Sequence, residues 1–284
     1  MKNAKDDSGA PASKLKTFLI RAASAIVAVL VVWILYSQFQ ANGFKILVWF
    51  AIILGGREAQ KLVLEAQDGL PARVLLMGEP ILLALIATFT PSLFLPSFLV
   101  LLMFNYVALQ WLNRWDASPD EMRSLFLRLM VGVLYIGVVP GVCLLLLNMP
   151  HGAVWFYTML VMVFAGDTLA YLVGMKFGRT KLIPNISPKK TVEGALGGIL
   201  GTLIAAVCLK SQLPEMTWGL WIPFSFVAAV FAQSGDFFES MLKRAVSLKD
   251  SGGIMPGHGG VLDRIDGVLF AIPLFHLLAF SLVP

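Results

Sequence analysis

The chain has 284 residues, of which 58% are apolar and 14% charged, with 22 Lys and Arg against 17 Asp and Glu for a net charge of +5. That charged fraction is well below the roughly 25% of a soluble domain, and a mean hydropathy of +0.80 places the chain in a bilayer. Its apolar runs approach the ~20 residues of a membrane span and are continuous rather than alternating, which excludes a β-barrel and leaves a polytopic, all-α transmembrane bundle.

In chain order, residues 1–16 carry Lys, Asp, Ser, Gly and Pro without apolar periodicity and read as a disordered cytoplasmic tail. Nine spans are expected near 19–36, 44–57, 72–90, 93–112, 126–147, 153–175, 194–210, 218–236 and 266–283. The first is too long, and lacks a small-residue cleavage site, for a removable signal peptide, so it reads as a retained anchor. Residues 17–150 then make an N-terminal transmembrane region, and residues 151–284 a C-terminal catalytic one. Cys143 and Cys208 lie inside apolar spans and read as small hydrophobes.

With nine spans the connections alternate between two sides. Twenty of the 22 cationic residues fall on one side, in the tail and the second–third, fourth–fifth, sixth–seventh and eighth–ninth connections; Lys45 and Lys210 fall opposite. This asymmetry predicts a cytoplasmic N-terminus and an external C-terminus. It also explains the positive balance without any nucleic-acid partner. In the first half, Glu79 within Gly78-Glu79-Pro80 is an ionisable group in a span, expected near a helix end or bonded to a neighbour. Arg57-Glu58 reads as an interfacial ion pair closing the second span.

The sixth span places Asp167 within Phe164-Ala165-Gly166-Asp167-Thr168-Leu169-Ala170-Tyr171. A carboxylate there must face a polar cavity, a cation or a hydrogen-bonding helix. Downstream, Pro184 and Pro188 stop any helix and fix a turn. Ser187, Lys189, Lys190 and Thr191 then gather hydroxyls and ammoniums at the start of the seventh span, where a helix N-terminus favours anions. Gly194, Gly197, Gly198 and Gly201 suit close helix packing.

The eighth span ends in Gly235-Asp236-Phe237-Phe238-Glu239-Ser240-Met241-Leu242-Lys243. If the helix continues, Asp236, Glu239, Ser240 and Lys243 share one face. Asp263 and Asp266 stand three apart at the head of the ninth span. Carboxylates from two helices suit a hard cation such as Mg²⁺ bridging phosphates, although salt bridges to Lys243, Arg244, Lys249 and Arg264 are the plainer alternative. Glycines 252, 253, 257, 259 and 260 favour the first reading, because such backbone can approach a ligand closely or take positive φ. His258 among them can contact phosphate, donate a proton or pack.

These residues resemble the CDP-diacylglycerol synthase (phosphatidate cytidylyltransferase) family. The pattern S-x-x-K-R-x4-K-D…H-G-G-x-x-D-R-x-D is met from Ser240 to Asp266, G-D-x-x-E-S from Gly235 to Ser240, and D-x-x-A-Y…I-S-P-x-K-T-x-x-G from Asp167 to Gly194. The match is good over about 160–284; Gly267 and Gly166 stand where Ser and Ala are common in the family. The resemblance implies transfer of CMP from CTP to phosphatidic acid with Mg²⁺, and K⁺ as a second ion, in the inner membrane of a bacterium. It makes Asp236 and Asp263 metal ligands with Asp266 in support, and puts Lys243 and Arg264 with them at the chemistry. Ser187, Lys189, Lys190, Ser240, Arg244, Lys249 and His258 would hold the phosphates, with Asp167 facing the same cavity.

Two other classes stay open at this point: a CTP-using enzyme acting on another membrane lipid, and a transporter using Asp167 and Glu79. An inactive scaffold is a further reading, disfavoured by the intact Asp236, Asp263 and Lys243. The spacings Gly137/Gly141 and Gly197/Gly201 permit helix contacts within a chain or in a homodimer.

Overall fold

A computed structural model describes residues 30–112, 118–248, 250–253 and 259–282. Helix α1 (Leu30–Phe39) turns at Gln40, whose φ is +47°, into α2 (Ala41–Val63). Helix α3 (Leu70–Phe89) passes through one 3₁₀ turn into α4 (Phe94–Leu112). Helix α5 (Pro119–Val133) begins at a Ser118–Glu121 capping box and continues through a π-turn (Leu134–Val138) into α6 (Val139–Asn148). Then come α7 (Gly152–Phe177), the strands β1 (Lys181–Ile183) and β2 (Ser187–Thr191), α8 (Val192–Leu209), α9 (Trp218–Ala245) and α10 (Leu262–Leu282).

Seven stretches among the described residues are long and apolar enough to cross a membrane, with α5, the π-turn and α6 counting as one. This is an integral membrane protein built as a helical bundle. The α2 helix has the length to span, but Lys45, Arg57, Glu58 and Lys61 interrupt its apolar surface. The boundaries expected from hydropathy shift where charge enters a helix. The span expected at 218–236 stays helical to Ala245, the one expected at 266 begins at Leu262, and the one expected at 126 begins at Pro119. The expected tail at 1–16 lies outside the described residues.

The turn expected at Pro184 and Pro188 is the tip of an antiparallel hairpin, pairing Lys181 with Thr191 and Ile183 with Ser187. This small sheet corrects the purely helical expectation. Proline forbids helix here, and the exposed chain ends meet their backbone hydrogen bonds with each other. The Thr191 hydroxyl then caps α8 by accepting from the Gly194 amide at 3.1 Å.

Bare glycine faces set the closest helix approaches. A Cβ at Gly197 would crowd Val173, and one at Gly201 the Ala165 carbonyl, so α8 lies directly against α7. Gly137 and Gly141 likewise back onto Pro80 and Phe94. Both small-residue pairs therefore serve contacts within the chain. An aromatic cluster of Trp155, Trp221, Phe224 and Phe275 locks α7, α9 and α10, and the Trp221 indole donates to the Ala206 carbonyl at 2.9 Å. Phe50, Phe104 and Trp111 point outward, as lipid-facing side chains do.

One end of the bundle gathers the α2–α3, α7–α8 and α9–α10 connections and the start of α5. Arg128 reaches Asp68 at 2.7 Å, Arg244 reaches the Ile186 carbonyl at 3.4 Å, and Glu58 meets the α9–α10 loop. The described cations concentrate there, while Lys45 and Lys210 sit at the other end.

Candidate functional site

The site forms where the polar ends of α9 and α10 meet the hairpin between α7 and α8. Because α9 runs on past its apolar stretch, Asp236, Glu239, Ser240 and Lys243 share one helical face, as the spacing predicts. Lys243 sits at the centre. Its ammonium lies 2.9 Å from Glu239 Oε2 and 2.5 Å from Asp263 Oδ1, with side-chain exposures of 12%, 1% and 8% for the three residues.

Both Asp263 oxygens are engaged. Oδ1 takes Lys243, and Oδ2 accepts from the Ser251 amide at 3.0 Å, the Ser251 hydroxyl at 3.0 Å and the Gly260 amide at 2.8 Å. Oδ1, with one donor, is the less crowded of the two oxygens. Asp236 faces another way: Lys190 from β2 lies 2.9 Å from its Oδ2 and 4.4 Å from the Phe237 ring centre. Asp236 is within hydrogen-bonding reach of buried Asp266, whose Oδ1 also accepts from the Gly267 amide at 2.8 Å. On α10, Asp266 is turned toward Asp236, while Asp263, three residues earlier, is turned toward Lys243.

Asp167, on α7, is exposed and has Asp236, Lys190 and Arg264 as charged neighbours. Ser187 opens β2, Lys189 is exposed beside it, and half-buried Ser240 lies on α9 one turn from Asp236. Arg244 holds the hairpin tip through Ile186 and the Leu248 carbonyl at 3.4 Å. Arg264 is exposed at the start of α10. Lys249 and His258 lie outside the described residues.

Three further residues enter the site without a sequence signal. Glu58, expected to pair with Arg57, is 2% exposed and instead accepts hydrogen bonds from Ser251, Val261 and Leu262. The departure has a steric cause, since Gly55 lets α2 approach the Leu262 side chain. Tyr135 projects from the π-turn against Phe238. Its hydroxyl is buried with no hydrogen-bond partner among the described residues, and Asp266, Glu239, Asp236 and Asp263 are its charged neighbours. A π-turn of this kind often marks a functional position. Ser251 is the third, buried between Glu58 and Asp263.

The loop glycines also have a specific cause. Gly259 takes φ +81°, and a Cβ at Gly252 or Gly260 would overlap the Glu58 carboxylate. The close approach expected toward a ligand is, at these two positions, an approach to Glu58.

Among the described residues no three His, Cys, Asp or Glu side chains converge to hold a metal by themselves. Mg²⁺ commonly uses one or two carboxylates and completes its shell with water and substrate phosphate. The Asp236–Asp266 pair, near a buried Glu239 Oε1 that has no hydrogen-bond partner among the described residues, fits that donor set. Lys190 pairs with Asp236, and Arg264 joins Lys190 and Asp236 as charged neighbours of Asp167, so cations stand beside the pair. Glu79, by contrast, is held away from this cluster in mid-α3 and accepts from the Asn105 amide at 2.7 Å.

The profile of the cytidylyltransferase family matches residues 19–282. A phosphatidate cytidylyltransferase of Thermotoga maritima is 30% identical over 270 residues, covering 93% of this chain and 95% of that protein. The Bacillus subtilis enzyme of the same name is 43% identical over 130 residues, 45% of this chain and 48% of its own length. One from Staphylococcus aureus is 36% identical over 151 residues, 52% and 57% of the two lengths. The chain belongs to the cytidylyltransferase family and is a nucleotidyltransferase.

Proposed function

We propose that the chain transfers CMP from CTP to phosphatidic acid, giving CDP-diacylglycerol and pyrophosphate. The observation that carries this reading is the Asp236–Asp266 pair, with Lys190 on Asp236, beside the Lys243–Glu239–Asp263 cluster at one end of a membrane bundle. Its relatives' names specify the substrates.

A phosphate monoester is largely dianionic at neutral pH, with a second pKa of about 6, so the attacking lipid phosphate requires no general base. Its oxygen would attack the α-phosphorus of CTP; the new P–O bond forms as the α–β bridging bond breaks, and pyrophosphate leaves with the electron pair. Asp236 and Asp266 would hold Mg²⁺, which supplies charge neutralisation along the nucleotide phosphates. Lys190 and Arg264 would orient the triphosphate, with Ser187, Lys189, Ser240 and Arg244 at its edges. Lys243, fixed between Glu239 and Asp263, would meet the charge that develops on the transferring group.

The end of the bundle rich in Lys and Arg would face the cytoplasm, putting the N-terminus and the CTP-binding groups on that side of the inner membrane. Exposed Asp167 on the flank of α7 would lie where the lipid headgroup enters from the bilayer.

The test is conversion of phosphatidic acid to CDP-diacylglycerol by purified protein in detergent, with CTP and Mg²⁺. Loss on EDTA, recovery with Mg²⁺ and loss in Asp236→Asn are expected. Labelled CMP left covalently on the protein after incubation with CTP alone would refute direct attack. No product, with ion-driven flux in vesicles instead, would replace the reading with a transporter.

A further inference from the structure

Helix α2 belongs to the half of the chain that offers no motif, yet it delivers a carboxylate into the α9–α10 loop. Glu58 Oε1 accepts from the Val261 amide at 3.1 Å, and Oε2 from the Leu262 amide at 2.9 Å. These amides begin α10 and have no partner within their own helix, so Glu58 caps α10 from another helix and complements its dipole. The Ser251 hydroxyl lies 3.1 Å from Glu58 Oε2 and 3.0 Å from Asp263 Oδ2, so one proton is shared between two carboxylates. From Asp263 the contacts continue to Lys243 and then to Glu239.

Among the described residues, the hydrogen-bond partners of this buried carboxylate are Ser251, Val261 and Leu262, all of the α9–α10 connection. A desolvated carboxylate is costly without its partners, so the loop conformation and the position of Glu58 are tied together. Gly252 and Gly260 close on the carboxylate from both sides, and a Cβ at either would displace it.

We propose that Glu58 is a positioning residue for nucleotidyl transfer, acting through Ser251 and Asp263 to fix the Lys243 ammonium; this rests on the cytidylyltransferase reading of the site. Glu58 touches no reacting atom. Its effect is on where Lys243 stands when charge develops, so it belongs to turnover more than to substrate binding.

The experiment compares wild type, Glu58→Gln, Ser251→Ala and the double variant as full-length protein in detergent. Glu58→Gln keeps the shape but turns an amide NH₂ toward a backbone N–H or the Ser251 hydroxyl. Ser251→Ala removes only the hydroxyl link and leaves the α10 cap in place, so it reports even if Glu58→Gln does not fold.

A displacement of about 1 Å at reacting groups can cost on the order of 100-fold in rate, so kcat is expected to fall roughly tenfold or more in each folded variant, with KM for CTP and phosphatidic acid within about threefold. Because both changes cut one chain of contacts, the double variant should be no slower than the slower single variant. Unchanged kcat in the folded variants, multiplicative losses, or a loss carried by KM would overturn the proposal.

Amide hydrogen exchange over residues 259–263 gives a readout independent of turnover. It should accelerate at least tenfold in Glu58→Gln; unchanged exchange overturns the proposal. If wild type forms no CDP-diacylglycerol, the functional reading fails, and this exchange result decides alone whether Glu58 positions the loop.

Discussion

Replacing Lys243 with Ala takes a cation from between two carboxylates whose side chains are only 1% and 8% exposed. Breaking a buried ion pair by deleting one partner costs about 3–5 kcal/mol, mainly because the opposite charge is left uncompensated. Asp263 keeps its bonds from Ser251 and Gly260, so most of the penalty falls on Glu239, whose other oxygen has no partner among the described residues. At about 2–4 °C of Tm per kcal/mol, the expected loss is roughly 6–20 °C, read by intrinsic tryptophan fluorescence during heating in detergent. Adding Glu239→Gln removes the stranded charge and should restore part of that Tm. CDP-diacylglycerol formation should stay abolished in the double variant, because the ammonium proposed to meet the transferring phosphate is still missing. The reasoning is refuted if Lys243→Ala melts within about 2 °C of wild type, or if the double variant is no more stable than the single one.

Gly260→Ala should lower Tm and cut turnover at least tenfold, since its Cβ would overlap Ser251 Oγ and both Glu58 oxygens. Gly219→Ala, with nothing within 4 Å of its Cβ, is the control for a glycine change and should leave both measurements near wild type. Glu79→Gln should hold or raise Tm, because Glu79 Oε1 and Asn105 Oδ1 are both buried acceptors with no donor among the described residues, and an amide supplies one. An unmet buried polar atom costs about 1–3 kcal/mol, so a clear fall in Tm would show that the carboxylate has a partner that an amide cannot serve.

The C-terminal half was legible because its chemistry is written as charge against a greasy background. Asp236, Lys243, Asp263 and Asp266 stand out at helical spacing, and the structure joins them within one cluster. Their partners were not legible, since pairing depends on how two helix ends rotate against each other. Spacing alone could not say that Asp266 would meet Asp236 while Asp263 turned to Lys243. Glu58 was hidden for a related reason. Beside Arg57 it looks like a surface pair, and packing such as the contact between Gly55 and Leu262 brings it to a loop some 200 residues away in sequence. Tyr135 carried no signal, because a π-turn before Pro140 redirects it, and hydropathy does not register one extra residue in a turn.

The geometry bears on why the first half of such a chain should exist at all. Nucleotidyl transfer between two anions needs cations held firmly enough not to follow the leaving group, and an ammonium on a flexible stem is poorly suited to that task. Here Lys243 is fixed from both sides, by Glu239 on its own helix and by Asp263 on the next. Asp263 is in turn held by Ser251, and Ser251 by Glu58, so the restraint ends in α2. Arg128 on α5 ties down the α2–α3 loop through Asp68 at 2.7 Å, next to the end of that same helix. Tyr135 comes from the helix that continues α5. The motif-free helices therefore act as the frame against which the charged loop is stiffened, and a frame of this kind needs few specific side chains, which is why it reads as bare hydrophobicity.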